Sequence, residues 1–175
     1  LELTANRLRQ EVIREVSGAG SGHQGGPLGS ADIFTSLYFH ILRHDPKLPH
    51  WADRDRMVVS CGHYCPVLYA ALAHAGYFKV EELRTLRQID SRLQGHPHRG
   101  SLPGVETTSG PLGSGNSQAA GMAFAARLDR NGSMGSPRGK YRVYCFTSDG
   151  EHQEGNSWEG VMFAAKHRLS NLTVI

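Results

Sequence analysis

Three short apolar runs separated by helical patterns constrain this chain more than any other feature. Residues 57–60 (Met-Val-Val-Ser), 141–147 and 172–175 are rich in β-branched and aromatic side chains and have strand length. Helical spacing is predicted over 2–16, from Ser30 through Leu42, from about 64 to 75, over 80–88, 114–128 and 154–168. Strands that alternate with helices call for crossover connections, hence an α/β fold with a parallel sheet flanked by helices. Ser30 is placed to cap the second helix, after a glycine-dense loop over 21–29. Residues 90–115 lack periodicity, and a loop of that length points to function. Residues 130–140 are predicted to be a flexible surface loop. The 175 residues suit a single domain. An opening without Met and a finish inside a strand pattern lead us to expect a trimmed start and the front part of a larger domain.

Composition removes several classes of function. With 39% hydrophobic and 20% charged residues the chain is neither disordered nor membrane-spanning, and no signal peptide is visible. Its net charge of +3 is scattered, which argues against nucleic-acid binding. Three cysteines (Cys61, Cys65, Cys145) cannot form a disulfide framework, so a reducing, cytoplasmic setting is expected. Cys61 and Cys65 flank His63, yet zinc needs three or four ligands and no second cysteine pair follows. Glycine stands out, at 21 of 175 residues against an average of about 7%. Without a collagen period, that excess marks tight turns or close approach to a ligand.

Chemistry is concentrated in a few segments. Ser148-Asp149-Gly150-Glu151 follows a predicted strand and precedes a helix. Ligands of open parallel sheets bind beyond the carboxyl ends of strands. An Asp there can hold a hard cation while glycine lets backbone close on an anion, which together suggests a magnesium-bridged diphosphate site. An Asp-Gly turn leading into an acid-rich first helical turn accounts for the same residues without any ligand. An EF-hand fails on spacing, because Gly150 directly follows the first Asp. Ser109-Gly110-Pro111-Leu112-Gly113-Ser114-Gly115-Asn116 is a glycine-rich loop opening a helix. It is a poor dinucleotide fingerprint, since position 118 is Gln and no strand precedes it. Close approach of its backbone to a flat ligand suits it better. Three Gly-His dipeptides (His23, His63, His96) sit at loop-to-helix junctions or in the long loop, and imidazoles there can donate, accept and move protons. His40, His44, His50, His74, His152 and His167 lack that context and are read as structural or exposed.

Taken in order, these segments resemble the transketolase family, and the resemblance spans almost the whole chain. It is carried by Ser21-Gly-His-Gln-Gly-Gly-Pro-Leu-Gly29, Arg54-Asp-Arg56 leading to Ser60-Cys-Gly-His63, and Gly95-His-Pro97. It continues through Leu102-Pro-Gly-Val-Glu-Thr-Thr-Ser-Gly-Pro-Leu-Gly-Ser-Gly115, Asp149-Gly150, and Gln153-Glu154-Gly155. The resemblance implies the diphosphate-binding (PP-type) fold of a thiamine diphosphate enzyme, as a single domain over 1–175 with the pyrimidine-binding domain absent. Asp149 then ligates Mg2+ or Ca2+, Gly150 touches the diphosphate, and Gly110, Pro111 and Leu112 contact the aminopyrimidine. His63 lies near the cofactor phosphates and Glu154 at a subunit interface beside the cofactor. His23 and His96 face the reacting ketose. The implied reaction moves a two-carbon ketol unit from a ketose phosphate to an aldose phosphate, as in the pentose phosphate pathway. A partner chain or domain, in a homo- or hetero-oligomer such as a dimer, completes the site. 1-Deoxyxylulose-5-phosphate synthase, a dehydrogenase E1 component and a non-catalytic assembly relative are the alternatives. Two positions depart from the family pattern, Ser148 (usually Gly) and Cys61 (commonly Asn or Lys). Where a backbone needs φ > 0, serine costs about 1 kcal/mol, although its hydroxyl adds a donor. The family's second metal ligand falls beyond Ile175.

Overall fold

The computed structural model describes residues 1–131 and 141–175. Its elements, in chain order, are helices α1 (Glu2–Ala19), α2 (Gly25–Gly29) and α3 (Ala31–Ser36), then strand β1 (Arg56–Val59) and helix α4 (Cys65–Ala75). Helix α5 (Ser114–Asn131), strand β2 (Val143–Phe146), helix α6 (Gly155–Lys166) and strand β3 (Leu172–Val174) follow. The chain divides into two compact units, one formed by Leu1–Pro49 with Gly62–Thr108 and one by His50–Cys61 with Ser109–Ile175.

The second unit carries the sheet. Its strands are parallel in the order β1-β2-β3, with Val58 opposite Cys145 and Val143 opposite Leu172. All four residues of β2 are buried, as expected of a central parallel strand covered on both faces. Val58, Val143 and Cys145 pack with Ala119, Ala120 and Ala123 of α5. These small side chains let α5 lie close on the sheet. Predicted helix 114–128 runs three residues further, and the rest of predicted loop 130–140 lies outside the described residues.

The first unit is helical and is built around α4, which is buried from Cys65 to Ala73. Ala5, Leu8 and Val12 of α1 and Phe34 of α3 are buried in the same unit. Helix α1 stops at Gly20, whose left-handed backbone (φ 62°) closes the last turn with a bond to the Ser17 carbonyl. Three expectations need correction here. The glycine-dense 21–29 segment contains the short helix α2. Ser30 does not cap α3, because its hydroxyl turns back to donate to the Gly26 carbonyl (2.9 Å), satisfying the end of α2 instead. The predicted 80–88 helix is a 3-10 turn over Val80–Thr85. Among the structurally read histidines, His44 stacks on Tyr77 and bonds both the Tyr77 hydroxyl (3.0 Å) and the Tyr38 carbonyl (2.7 Å).

One buried acid breaks the apolar rule. Glu15 in α1 is 2% exposed, and neither carboxyl oxygen has a hydrogen-bond partner among the described residues. Burial, with a smaller contribution from Glu11, pushes its carboxyl well above the usual carboxylate range. A raised folded-state value means the folded chain holds a proton that the unfolded chain releases above about pH 4.5. Stability then falls as pH rises through that window. Glu15→Gln is therefore expected to raise unfolding free energy at pH 7 by on the order of 1–3 kcal/mol. The gain should vanish below about pH 4, as measured by urea denaturation at both pH values.

Candidate functional site

The second unit assembles its polar groups at the carboxyl ends of β1 and β2. Past Val59, the Ser60 hydroxyl accepts a bond from the Gly115 amide (3.0 Å), and the Ser109 hydroxyl donates to the Val59 carbonyl (2.6 Å). These bonds fix both ends of the 109–115 loop to the tip of β1. The approach is close enough that a Cβ on Gly115 would lie 2.7 Å from Ser60 Cα. Gly113, with φ 80°, packs so tightly on the next segment that a Cβ there would sit 2.7 Å from Glu154 Cβ. The predicted aminopyrimidine loop (Gly110, Pro111, Leu112) and the predicted diphosphate segment (Asp149, Gly150, Glu154) are thus neighbours. Pro111 and Leu112 are exposed beside them.

Asp149 precedes the 3-10 turn Gly150–Gln153, and its carbonyl accepts the His152 amide (3.2 Å). Its side chain is exposed and makes no hydrogen bond or ion pair among the described residues. A Cβ on Gly150 would meet nothing within 4 Å, so the space at this position is open. The Thr147 amide and hydroxyl both donate to the Ile175 carbonyl (2.8 and 2.9 Å). The end of β3 therefore lies beside the residue two before Asp149. Among the described residues no group of three or more His, Cys, Asp or Glu side chains is gathered around a metal position. A hard cation here would draw on the Asp149 carboxylate and on oxygens from its ligand, which is how magnesium is commonly held. An open, unpaired carboxylate next to an open glycine fits that role.

Sequence reasoning missed Glu151, which is fully buried. Its Oε2 accepts the Ser148 amide (3.1 Å) and the Ser148 hydroxyl (3.2 Å), while Oε1 has no partner among the described residues. Ser148 has no left-handed backbone, and its hydroxyl bonds to Glu151 beneath the Asp149 turn. The signal available in the sequence was an acid three residues after a serine, the spacing of a local side-chain loop. Glu154 is exposed at the start of α6, with no side-chain cap bond.

The first unit gathers the histidines. His23 and His63 meet edge-on with ring centroids 4.9 Å apart, His63 being half-buried and His23 exposed. Partial burial, then the nearby His23 and Arg87, push the His96 imidazole below its ordinary value of 6.5. A neutral ring at physiological pH can accept as well as donate a proton. His96 also lines a cleft of about 460 Å3 with Arg87, Gln88, Ser91, Gln94 and Gly95. The cysteines are free and buried. Burial pushes the Cys61 thiol up to about 12, the buried Glu151 charge adding to the effect. It is thus a poor metal ligand or nucleophile at neutral pH. Among the described residues no helix is long and apolar enough to cross a membrane.

Comparison with known proteins gives the family. The family described as "Transketolase, thiamine diphosphate binding domain" matches residues 2–175. Transketolase from Rhodobacter capsulatus is 43% identical over 177 residues, covering 98% of this chain and 26% of the relative. A 6-deoxy-6-sulfo-D-fructose transketolase subunit from a Clostridium species is 40% identical, covering 98% of this chain and 60% of the relative. Transketolase from Leishmania mexicana superposes with a TM-score of 0.93 at 38% identity, covering 99% of this chain and 26% of that structure. The chain spans about a quarter of the length of the curated transketolases it matches.

The glycine contacts give a direct test. Gly115→Ala forces a methyl group into Ser60 backbone and is expected to cost about 1–3 kcal/mol of stability. Gly150→Ala, where space is open, should cost under about 1 kcal/mol. Thermal melts of the two variants beside the wild type measure the difference.

Proposed function

The chain belongs to the transketolase thiamine diphosphate-binding domain family, and from that premise we propose that it is the diphosphate-binding component of a ketol-transferring enzyme. One observation carries the reading, namely the packing of Gly113 on Glu154. That contact brings the loop expected to face the aminopyrimidine against the segment expected to hold the diphosphate. In this reading residues 1–175 act as one diphosphate-binding domain, and a pyrimidine-binding domain or subunit completes the site. The Clostridium relative is a subunit by name, which supports a multi-chain assembly.

Each residue then has a defined task. The Asp149 carboxylate holds Mg2+ or Ca2+, and its exposed oxygens await oxygen-rich partners. Gly150 leaves room for the diphosphate, and Gly110, Pro111 and Leu112 lie along the aminopyrimidine. Glu154 stands beside the cofactor at a subunit interface. The Ile175 carbonyl lies beside Thr147, two residues before Asp149. When bound, thiamine diphosphate supplies a carbanion and an electron sink for the two-carbon unit.

The substrates in this reading are a ketose phosphate donor and an aldose phosphate acceptor. His23 and His96 hold the donor's hydroxyl and carbonyl groups and move protons there. With its basicity lowered, the neutral His96 ring accepts a hydroxyl proton near pH 7 without first shedding one of its own. His63 is assigned to the cofactor phosphates, and its ring meets that of His23 edge-on.

Calorimetry tests the cofactor half of this reading in the presence of a transketolase pyrimidine-binding half. Thiamine diphosphate with Mg2+ is expected to bind the wild type, and Asp149→Ala to weaken binding at least about tenfold. Equal heats from wild type and variant would reject the metal role. Steady-state assays of the same assembly test the histidines. His23→Ala and His96→Ala should each lower kcat/KM by about 10^2–10^4 while leaving the cofactor dissociation constant unchanged.

A further inference from the structure

The His96 segment is held from behind in a way that the proposed function does not use. Its three preceding carbonyls are each taken by a donor from elsewhere in the first unit. The Arg87 amide donates to the Leu93 carbonyl (2.9 Å). The Tyr69 hydroxyl donates to the Gln94 carbonyl (2.8 Å), and the Cys65 thiol donates to the Gly95 carbonyl (3.1 Å). Cys65 and Tyr69 stand four residues apart on α4, so they share one helix face and reach consecutive peptide groups. Both side chains are almost wholly buried. Leu93 and Pro97 are buried on either side of the segment, while His96 itself is exposed.

Resting on the assignment of His96 to the substrate, we infer that Cys65 and Tyr69 are positioning residues that set the backbone from which the His96 ring projects. The physical reason is economy of freedom. An irregular segment with unbound carbonyls samples many backbone states, whereas capture of three successive carbonyls leaves essentially one. Neither donor acts as an acid. Burial raises the ordinary value of each, so both keep their protons. The groups facing the His96 ring are different ones, His23 from the 21–29 segment and Arg87 from the turn after Thr85. A ring held in place stays under their influence, and a ring set loose moves into water.

NMR titration of the full 175-residue chain reads this directly, without cofactor or turnover. In the wild type His96 is expected to titrate below 6.5. In Tyr69→Phe, and more fully in the Cys65→Ala/Tyr69→Phe double variant, the midpoint should rise toward 6.5 and the amide signals of residues 94–96 should shift. Cys65→Ser, which keeps a donor at the same place, should preserve the wild-type midpoint. An unchanged midpoint in folded Tyr69→Phe overturns the inference, even where the double variant fails to fold. A rise in folded Cys65→Ser as large as that in Tyr69→Phe also overturns it, because the retained donor then plays no part. A shifted midpoint combined with full ketol transfer by an assembled His96→Ala enzyme leaves the positioning role standing and removes the catalytic one.

Discussion

The close contact between the tip of β1 and the start of α5 is the constraint on which the rest of the candidate site depends. A side-chain-free Gly115 lets its amide reach the Ser60 hydroxyl, while Ser109 binds the Val59 carbonyl. Between these two anchors the 109–115 loop has little choice of path. It must cross the carboxyl ends of the strands, where open parallel sheets place their ligands. From there Gly113 meets Glu154, which fixes the loop relative to the turn carrying Asp149. A chain of short contacts, each of one or two atoms, thus brings residues 59–60, 109–115 and 149–154 into one cradle.

Two design tactics are visible in the two units. In the second unit the metal-binding candidate is left open, while Glu151, fully buried beneath the turn, holds Ser148 through its amide and hydroxyl. In the first unit the candidate imidazoles of His23 and His96 are exposed, while the donors that hold the backbone before His96 are buried on α4. In both, water-accessible chemistry rests on concealed polar bonds. A buried hydrogen bond is worth more than an exposed one because breaking it leaves an unsatisfied group away from water. Rigid support beneath open functional groups follows from that asymmetry.

Sequence patterns foretold the frame better than its fastenings. Apolar runs at 57–60, 141–147 and 172–175 all contain strands; burial leaves its apolar signature most fully on β1 and β2, whereas β3 is only partly buried. The Asp149-Gly150 pair and the Gly-His dipeptides were equally plain, since each is an unusual residue beside a glycine. Local competition was illegible. Ser30 had two helix ends to satisfy and chose the carbonyl at Gly26, a choice that depends on how α2 ends rather than on composition. The burial of Glu15 and Glu151 could not be read, because nothing in a single sequence distinguishes a charged face from a carboxyl trapped under a helix. Cys65 and Tyr69 had helical spacing, but their partners are backbone carbonyls, which every residue possesses and no pattern reveals.

The central claim is that Asp149 and the 110–113 loop form one site for a metal-bound diphosphate. Paramagnetic relaxation measures this most directly, with Mn2+ replacing Mg2+ in the presence of thiamine diphosphate and the complementary pyrimidine-binding half. The account predicts strong broadening of the amide signals of Asp149 and Gly150, weaker broadening over 110–113, and loss of both in Asp149→Ala. Broadening centred on other residues, or unchanged by that substitution, would contradict it.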